Sequence, residues 1–168
     1  EHGDKGSYDV QSLYFDGPHF QAFDEKIQGQ ENRKKLRLRS YGVGERWLEV
    51  KIKRGLLSYK KRLKLSEPEW ESLKLGNPIL NENETYQDFL FEKKRNLQAP
   101  KLWVGYRRKA YTGKHWPYLR LTFDQSLRAS RVDQAVQWPL QVPGAILEIK
   151  TEQSLPYWVS DLLKSFHL

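Results

Sequence analysis

The stretch "ENRKKLRLRSYG" at residues 31–42 decides the fold, because its charged residues and its leucines alternate. Five cationic side chains occupy seven positions, and Leu36 and Leu38 interrupt them with a period of two. Successive side chains of a β-strand point to opposite faces of a sheet. The pattern therefore predicts a strand over residues 33–41 with one aliphatic face and one cationic face. The cationic face carries Arg33, Lys35, Arg37, Arg39 and Tyr41.

Four further segments repeat this design, with aliphatic residues on one face and cations with a few carboxylates on the other. Their polar faces hold Trp47, Glu49, Lys51 and Lys53 in residues 47–54, Lys60, Arg62 and Lys64 in 58–65, Arg120, Thr122 and Asp124 in 119–124, and Glu148 with Lys150 in 146–150. In residues 58–65 the opposite face carries Tyr59, Leu63 and Leu65, and Lys61 is an exception to the pattern. The alternation predicts several antiparallel strands of one sheet.

The rest of the chain adds strands and four helices. Further strands are predicted over 8–16, 101–111 and, as a short one, around 128–132. Helices are predicted within 17–29, 66–74, 77–97 and 154–168. The third helix places Tyr86, Phe89, Leu90 and Leu97 on one face, and the last places Trp158, Val159, Leu162 and Phe166 inward. The total of about eight strands and four helices predicts an α+β domain dominated by an antiparallel sheet.

The composition limits the class of protein. The chain has 168 residues with a net charge of +8, which fits a single folded domain that favours polyanionic partners. It has no cysteine, which excludes disulfides and thiolate chemistry, and its four histidines show no ligand-like spacing. No apolar run approaches the ~18 residues of a membrane span, so we expect a cytoplasmic protein. The chain has no methionine, so we expect it to be a piece of a longer protein.

The cationic strand faces allow two interpretations. An ordinary half-solvated sheet also alternates polar and apolar residues. However, like charges on neighbouring strands destabilise a sheet by up to about 1 kcal/mol per pair, so a sheet rich in such pairs is expected to hold an anion. The acids recur as Glu-x-Lys, in "LEVK" at 48–51 and "LEIK" at 147–150. Carboxylates among phosphate-binding cations suit a divalent metal that bridges protein and phosphate.

Seven motifs in this order and spacing resemble the VTC domain, the polyphosphate polymerase domain of the vacuolar transporter chaperone complex and its bacterial relatives. They are "YDVQSLYFD", "ENRKKLRLRSYG", "WLEVKIKR", "YRRKAY", "LRLTFD", "LEIK" and "LPYWVSDLL". The resemblance runs from Tyr8 to Phe166 and implies the triphosphate tunnel fold, an antiparallel β-barrel with flanking helices. It also implies phosphoryl transfer from ATP to a growing inorganic polyphosphate chain, with Mn²⁺ or Mg²⁺ as the cofactor.

The resemblance also implies roles for individual residues. The catalytic cations would be Arg37, Arg39, Lys51, Arg108 and Arg120, and the substrate-binding cations Lys35, Lys53, Lys60, Arg62 and Lys150. Glu148 and, with a less certain role, Glu49 would hold the metal, and Asp124 would face the same tunnel. Family members begin with an earlier Glu-x-Lys strand and end with a Ser-Lys segment. We therefore expect residues 1–168 to form one tunnel domain without these two segments.

Three alternative functions follow from the same residues. The same tunnel with water as the acceptor would be a triphosphatase. A non-catalytic domain would instead bind polyphosphate or inositol polyphosphates on an outer basic surface made of Lys34, Lys61, Lys93, Lys94 and Arg95. Nucleic-acid binding ranks last, because the aromatic residues of "KLWVGYRRKAY" are explained by core packing and no specific recognition motif is present.

Overall fold

The structure, a computed structural model, describes residues 6–132 and 138–167. These residues form seven strands and four helices in an α+β arrangement. In chain order the elements are β1 (Ser7–Asp16), α1 (Gln21–Ile27), β2 (Arg33–Tyr41), β3 (Glu45–Arg54), β4 (Leu57–Lys64), α2 (Glu67–Lys74), α3 (Glu84–Arg95), β5 (Ala99–Thr112), β6 (Leu119–Arg131), β7 (Leu140–Thr151) and α4 (Tyr157–Ser165).

All seven strands belong to one antiparallel sheet in the order β4-β3-β2-β1-β5-β6-β7. The edge strands β4 and β7 do not pair with each other in the part of the chain that the structure describes. The sheet nevertheless curves so far that residues of both edge strands line one cavity. The expected barrel is therefore a strongly curved sheet whose last gap is not closed by backbone hydrogen bonds between the described strands.

The main core lies between one face of β1–β4 and the helices α2 and α3. The aliphatic sides of the alternating strands are buried there, as the sequence predicted. Leu36, Leu38, Leu48 and Val50 are fully buried and pack in one cluster with Leu13, Trp70, Leu73, Tyr86 and Phe89. A capping box begins α2, where Glu69 accepts hydrogen bonds from the backbone N–H and the hydroxyl of Ser66 at 2.8 and 2.7 Å. Because the aliphatic face of β2 and β3 is buried in this core, their cationic face lies on the opposite side of the sheet.

Helix α4 buries little of its apolar side. The prediction that Trp158, Val159, Leu162 and Phe166 all pack inward was wrong, because only Val159 of α4 is buried. Trp158 lies against Trp116, with 5.4 Å between ring centroids, but remains partly exposed. Leu162 and Phe166 are exposed as well.

Three other expectations need correction. Residues 118–124 and 128–132 are parts of one long strand, β6, because a register shift between Gln125 and Leu127 absorbs the irregular stretch that separates them in the sequence. The strand count is therefore seven. Leu97 lies beyond the end of α3 in a left-handed conformation and is exposed. Tyr59, expected on the aliphatic side of β4, lines the cavity because β4 is an exposed edge strand.

Candidate functional site

The concave face of the sheet encloses a cavity of about 570 Å³ to which every strand contributes. In most strands the positions that face it follow from the alternation of side chains, and Tyr59 of β4 is an exception. Its wall consists of eight cations, four aromatic residues (three of them tyrosines), Ser58, Thr122 and Glu45. The cations are Arg37, Arg39, Lys51, Lys60, Arg62, Arg108, Arg120 and Lys150. The cavity is thus a positively charged chamber with an aromatic lining.

The strand register brings like charges directly opposite one another. Lys51 of β3 pairs with Lys35 of β2 on one side and with Lys60 of β4 on the other. Arg120 of β6 lies opposite Lys150 of β7. Such pairs cost up to about 1 kcal/mol each in a sheet, and a bound anion would remove that cost. The register therefore supports the interpretation of these faces as an anion site.

Glu49 is the buried anion of this chamber. Its carboxylate is fully buried and accepts hydrogen bonds from the Arg37 guanidinium at 2.6 Å and the Lys60 ammonium at 3.0 Å. Burial alone would raise the pKa of Glu49, but the charges of Arg37 and Lys60 outweigh it and hold that pKa below its ordinary value. Both carboxylate oxygens are occupied by protein cations. Glu49 thus orients two phosphate-binding candidates, and each of its oxygens already accepts a hydrogen bond from one of them.

Glu148 carries the same motif in a different setting. Its side chain is 42% exposed and has only long contacts, at 3.3 Å to Lys150, 3.8 Å to Arg108 and 3.4 Å from the Thr122 hydroxyl. Burial would raise the pKa of Glu148, but the charge and hydrogen bond of Lys150 together with Arg108 lower it, so the carboxylate is ionised at neutral pH. An ionised, accessible carboxylate with loosely held oxygens is suited to a divalent cation.

The donor set fits a metal that is held mostly by its substrate. No group of three or more His, Cys, Asp or Glu side chains comes together within residues 6–132 and 138–167. Mg²⁺ in phosphate-transfer sites commonly uses one or two carboxylates, with phosphate oxygens and water completing its shell. Glu148 can supply one such ligand. Asp124 supplies none, because Arg108 occupies both of its oxygens at 2.6 and 2.7 Å.

Arg108 and Asp124 form the rigid pair on the β5–β6 side of the chamber. They lie directly opposite each other in the ladder, and the guanidinium binds the carboxylate through two parallel hydrogen bonds. The hydrogen bonds to Asp124 raise the pKa of Arg108, although burial opposes them. Arg108 therefore stays charged and fixed in orientation, which suits a group that binds phosphate in one geometry.

Four cations of the wall have no carboxylate partner within ion-pair distance among the described residues. They are Arg39, Lys51, Arg62 and Arg120. Arg39 donates only to the Ser12 hydroxyl at 2.9 Å, and Arg62 lies over the Trp47 ring with its guanidinium carbon 4.9 Å from the ring centroid. No carboxylate within residues 6–132 and 138–167 pairs with these four charges. An anion with several negative charges is the ligand that complements them.

Two of the expected substrate cations lie elsewhere. Lys35 faces the same side of β2 as Arg37, but it lines an adjoining cavity toward α1. Lys53 lies near Arg33 at the far end of the β2–β3 pair, in a surface hollow outside the chamber. The strands are longer than the chamber, so residues of one alternating face reach past its end. The remaining expected cations line the chamber itself, and Glu49 and Glu148 contact them.

Trp47 is a site residue that the charge pattern did not identify. It lines the chamber, and its indole N–H is buried without a hydrogen-bond partner among the described residues. A buried donor without a partner costs free energy, and a phosphate oxygen in the chamber would satisfy it. The position of Trp47 on the polar face of its strand was the available signal. An aromatic residue on such a face is usually interpreted as a packing residue and not as part of a binding site.

The outer basic surface is largely neutralised by the protein. Lys34 binds the buried Glu92 at 2.5 Å, and Lys61 binds Glu84 and Asp88 at 2.5 and 2.8 Å. Lys93 donates to the backbone carbonyl of Gly76 at 2.5 Å. Lys34, Lys61 and Lys93 thus have partners on their own surface, whereas four of the eight chamber cations have no carboxylate partner among the described residues. No helix within the described part of the chain is long and apolar enough to cross a membrane.

A curved antiparallel sheet around a cationic chamber, with helices on its outer face, defines a protein of the triphosphate tunnel class. The chain belongs to the VTC domain family, whose family model matches residues 1–168.

A solved structure supports the assignment of the fold. A candidate adenylate cyclase from Bacillus halodurans superposes with a TM-score of 0.65 at 15% sequence identity, covering 98% of this chain and 78% of its own. The PH1819 protein from Pyrococcus horikoshii OT3 gives a TM-score of 0.44 at 11% identity, covering 96% of this chain and 72% of its own. The sequence matches no curated protein.

Proposed function

We propose that this domain transfers a phosphoryl group from ATP to inorganic polyphosphate inside the cationic chamber, with Mn²⁺ or Mg²⁺ as the cofactor. The observation that carries the proposal is the set of four wall cations that have no carboxylate partner in the described part of the chain, in a member of the VTC domain family. A cavity with this surplus of positive charge attracts a polyphosphate and excludes neutral ligands. Residues 1–168 would work as one tunnel domain in this reaction.

The chemistry needs positioning and charge neutralisation more than proton transfer. Arg39, Arg62 and Arg120 would orient the triphosphate and neutralise the charge that spreads over the transferred group. Arg108 and Arg37, held by their carboxylates, would provide fixed donors from β5 and β2, the two strands that flank β1. The attacking phosphate oxygen of polyphosphate is already ionised at neutral pH. No general base is therefore required.

Glu148 would hold the divalent metal. A divalent metal held there would supply positive charge that offsets the charge developing on the phosphate oxygens. Lys150 and Thr122 would keep the Glu148 carboxylate directed into the chamber, since both contact it from the chamber side. Glu49 would act indirectly by holding Arg37 and Lys60 in place.

Incubation of the purified protein with ATP and Mn²⁺ tests the reaction. We expect long-chain polyphosphate, resolved by gel electrophoresis, and a stoichiometric release of ADP. Orthophosphate release without polyphosphate would replace the proposal with a triphosphatase. If the folded protein binds tripolyphosphate but forms neither product, the domain binds polyphosphate without catalysing the reaction.

Calorimetric titration with tripolyphosphate tests the binding site itself. We expect Arg39→Ala and Arg62→Ala each to weaken binding by about tenfold to a hundredfold, since a hydrogen bond to a charged group is worth about 1.5–3 kcal/mol. Lys34→Ala is the matched control, because Lys34 lies on the same strand as Arg39 but on the opposite face. Equal losses of tripolyphosphate affinity in all three variants would indicate that the cationic face of β2 is an ordinary solvated surface.

A further inference from the structure

A second cavity of about 920 Å³ opens at the α1 end of the sheet, and it differs in character from the chamber. Its wall is mainly aromatic and aliphatic, with Phe20, Phe23, Leu102 and Val132 among its members. Phe20 and Phe23 are 45% and 57% exposed, so their rings are available to a ligand. We call this space the aromatic pocket. Its size lies within the range of small-molecule sites, about 300–1,000 Å³.

The aromatic pocket and the cationic chamber are lined by neighbouring residues of β1 and β2. Tyr14 of β1 lines the pocket, and its hydroxyl accepts a hydrogen bond at 3.2 Å from Arg37, which lines the chamber. Lys35 also lines the pocket, two residues before Arg37 on the same face of β2. A ligand that extends from one space to the other would thus pass Tyr14 and Lys35.

The charges of the aromatic pocket favour the uncharged part of an anionic ligand. Asp16 lies in its wall, but its carboxylate is committed to the start of α1, where it accepts hydrogen bonds from the backbone N–H groups of Gly17, Ala22 and Phe23 at 2.7–3.1 Å. Lys101 lies over the Phe20 ring, with its ammonium 5.7 Å from the centroid. Asp16 and Lys101 are thus engaged by the protein beside Phe23 and Phe20, whereas Lys35 lies on the side of the chamber, two residues before Arg37.

We propose that the aromatic pocket binds the nucleoside of the donor nucleotide, with Lys35 at the junction where its phosphates enter the chamber. This inference rests on the proposed function and adds the orientation of the donor nucleotide, whose nucleoside lies at the α1 end of the sheet and whose phosphates lie in the chamber. An aromatic wall suits a nucleobase, because stacking on aromatic side chains is available to any base. The polyphosphate acceptor then approaches from the opposite end of the chamber, where Arg120 and Lys150 lie.

Binding of two ligands to the intact protein tests the proposal. ATP carries a nucleoside, whereas inorganic tripolyphosphate carries only the phosphates. We expect Phe23→Ala and Phe20→Gly to weaken ATP binding by about 5-fold to 100-fold, the usual range for loss of one stacking ring, and to leave tripolyphosphate binding unchanged. The glycine variant also suits position 20, because Phe20 has a left-handed backbone with φ of 57°.

Phe91→Ala is the matched control. Phe91 is 61% exposed on α3, outside both cavities, so its removal should change neither affinity. Unchanged ATP affinity in both pocket variants would overturn the proposal. If these variants instead dissociated a dimer in sedimentation experiments, with ATP affinity intact, the pocket would bind a second copy and the proposal would again fail. A wild-type protein that binds neither ligand would contradict the proposed function itself.

Discussion

The two Glu-x-Lys motifs of this chain are nearly identical in sequence and very different in structure. Glu49, in "LEVK", is fully buried and bound by two cations at 2.6 and 3.0 Å. Glu148, in "LEIK", is 42% exposed and has charged contacts of 3.3 and 3.8 Å. One carboxylate is a structural support, and the other is accessible to a ligand.

The difference comes from the number of neighbouring strands. β3 lies inside the sheet, so Glu49 has Arg37 beside it on β2 and Arg62 beside it on β4, with Lys60 close by. β7 is an edge strand, so Glu148 has only Thr122 of β6 directly beside it. The same residue at the same position of a motif thus becomes structural where it has cations on both sides. It stays available to a metal where one side is open.

Removal of the Glu49 carboxylate is expected to have the largest effect on the folded state. Glu49→Ala leaves the Arg37 guanidinium and the Lys60 ammonium without their partner, and loss of one member of a buried ion pair costs about 3–5 kcal/mol. Urea denaturation followed by circular dichroism should show this loss in the free energy of unfolding. Glu148→Ala is the control and should cost less than about 1 kcal/mol, since its ion pairs are partly exposed. Similar losses in both variants would abolish the distinction between the two motifs.

Glu148→Gln is expected to affect activity instead of stability. Loss of the metal-binding charge should lower turnover on the order of a hundredfold, because metal stabilisation of transition-state charge is worth several kcal/mol. The melting temperature and the affinity for metal-free tripolyphosphate should remain close to those of the wild type. Titration of turnover against Mn²⁺ concentration is the measurement. An unchanged metal requirement in this variant would place the metal on other residues.

The acid dependence of stability offers a third comparison. The pKa of Glu49 in the folded protein lies below its ordinary value of 4.5. Its contribution to stability is therefore complete above about pH 4.5 and is lost as the pH falls through the lowered folded-state pKa. The difference in unfolding free energy between wild type and Glu49→Gln should shrink over this acid range. Glu148→Gln should differ less from wild type, and a pH-independent Glu49→Gln difference would contradict the ion pair.

Trp47→Phe is expected to have the smallest effect. It removes the indole N–H that lacks a partner while it keeps an aromatic ring beneath Arg62. If that N–H donates to a bound phosphate, tripolyphosphate affinity should fall about 2-fold to 12-fold, which corresponds to about 0.5–1.5 kcal/mol for one hydrogen bond. The unliganded protein should be no less stable than the wild type. An unchanged affinity would assign Trp47 to packing alone.

Much of the fold and of the site could be predicted from alternation. The faces of β2 and β3 were predicted because Leu36, Leu38, Leu48 and Val50 recur with a period of two, and burial of one face then places the charges on the other. The single strand β6 could not be predicted, because its central irregularity resembles a loop in sequence. The exposure of α4 could not be predicted either, since an apolar helix face indicates that burial is favourable but does not show which surface covers it.

The sequence by itself determined that the chain is an α+β protein with cationic strand faces, because side-chain alternation is a local property of each strand. Only the tertiary structure decided which cations meet. Strand order and curvature bring Arg62 and Arg120, from opposite ends of the sheet, into one chamber, and they leave Lys53 outside it. They also separate the roles of Glu49 and Glu148, because burial and ion pairing depend on neighbours that are distant in the chain.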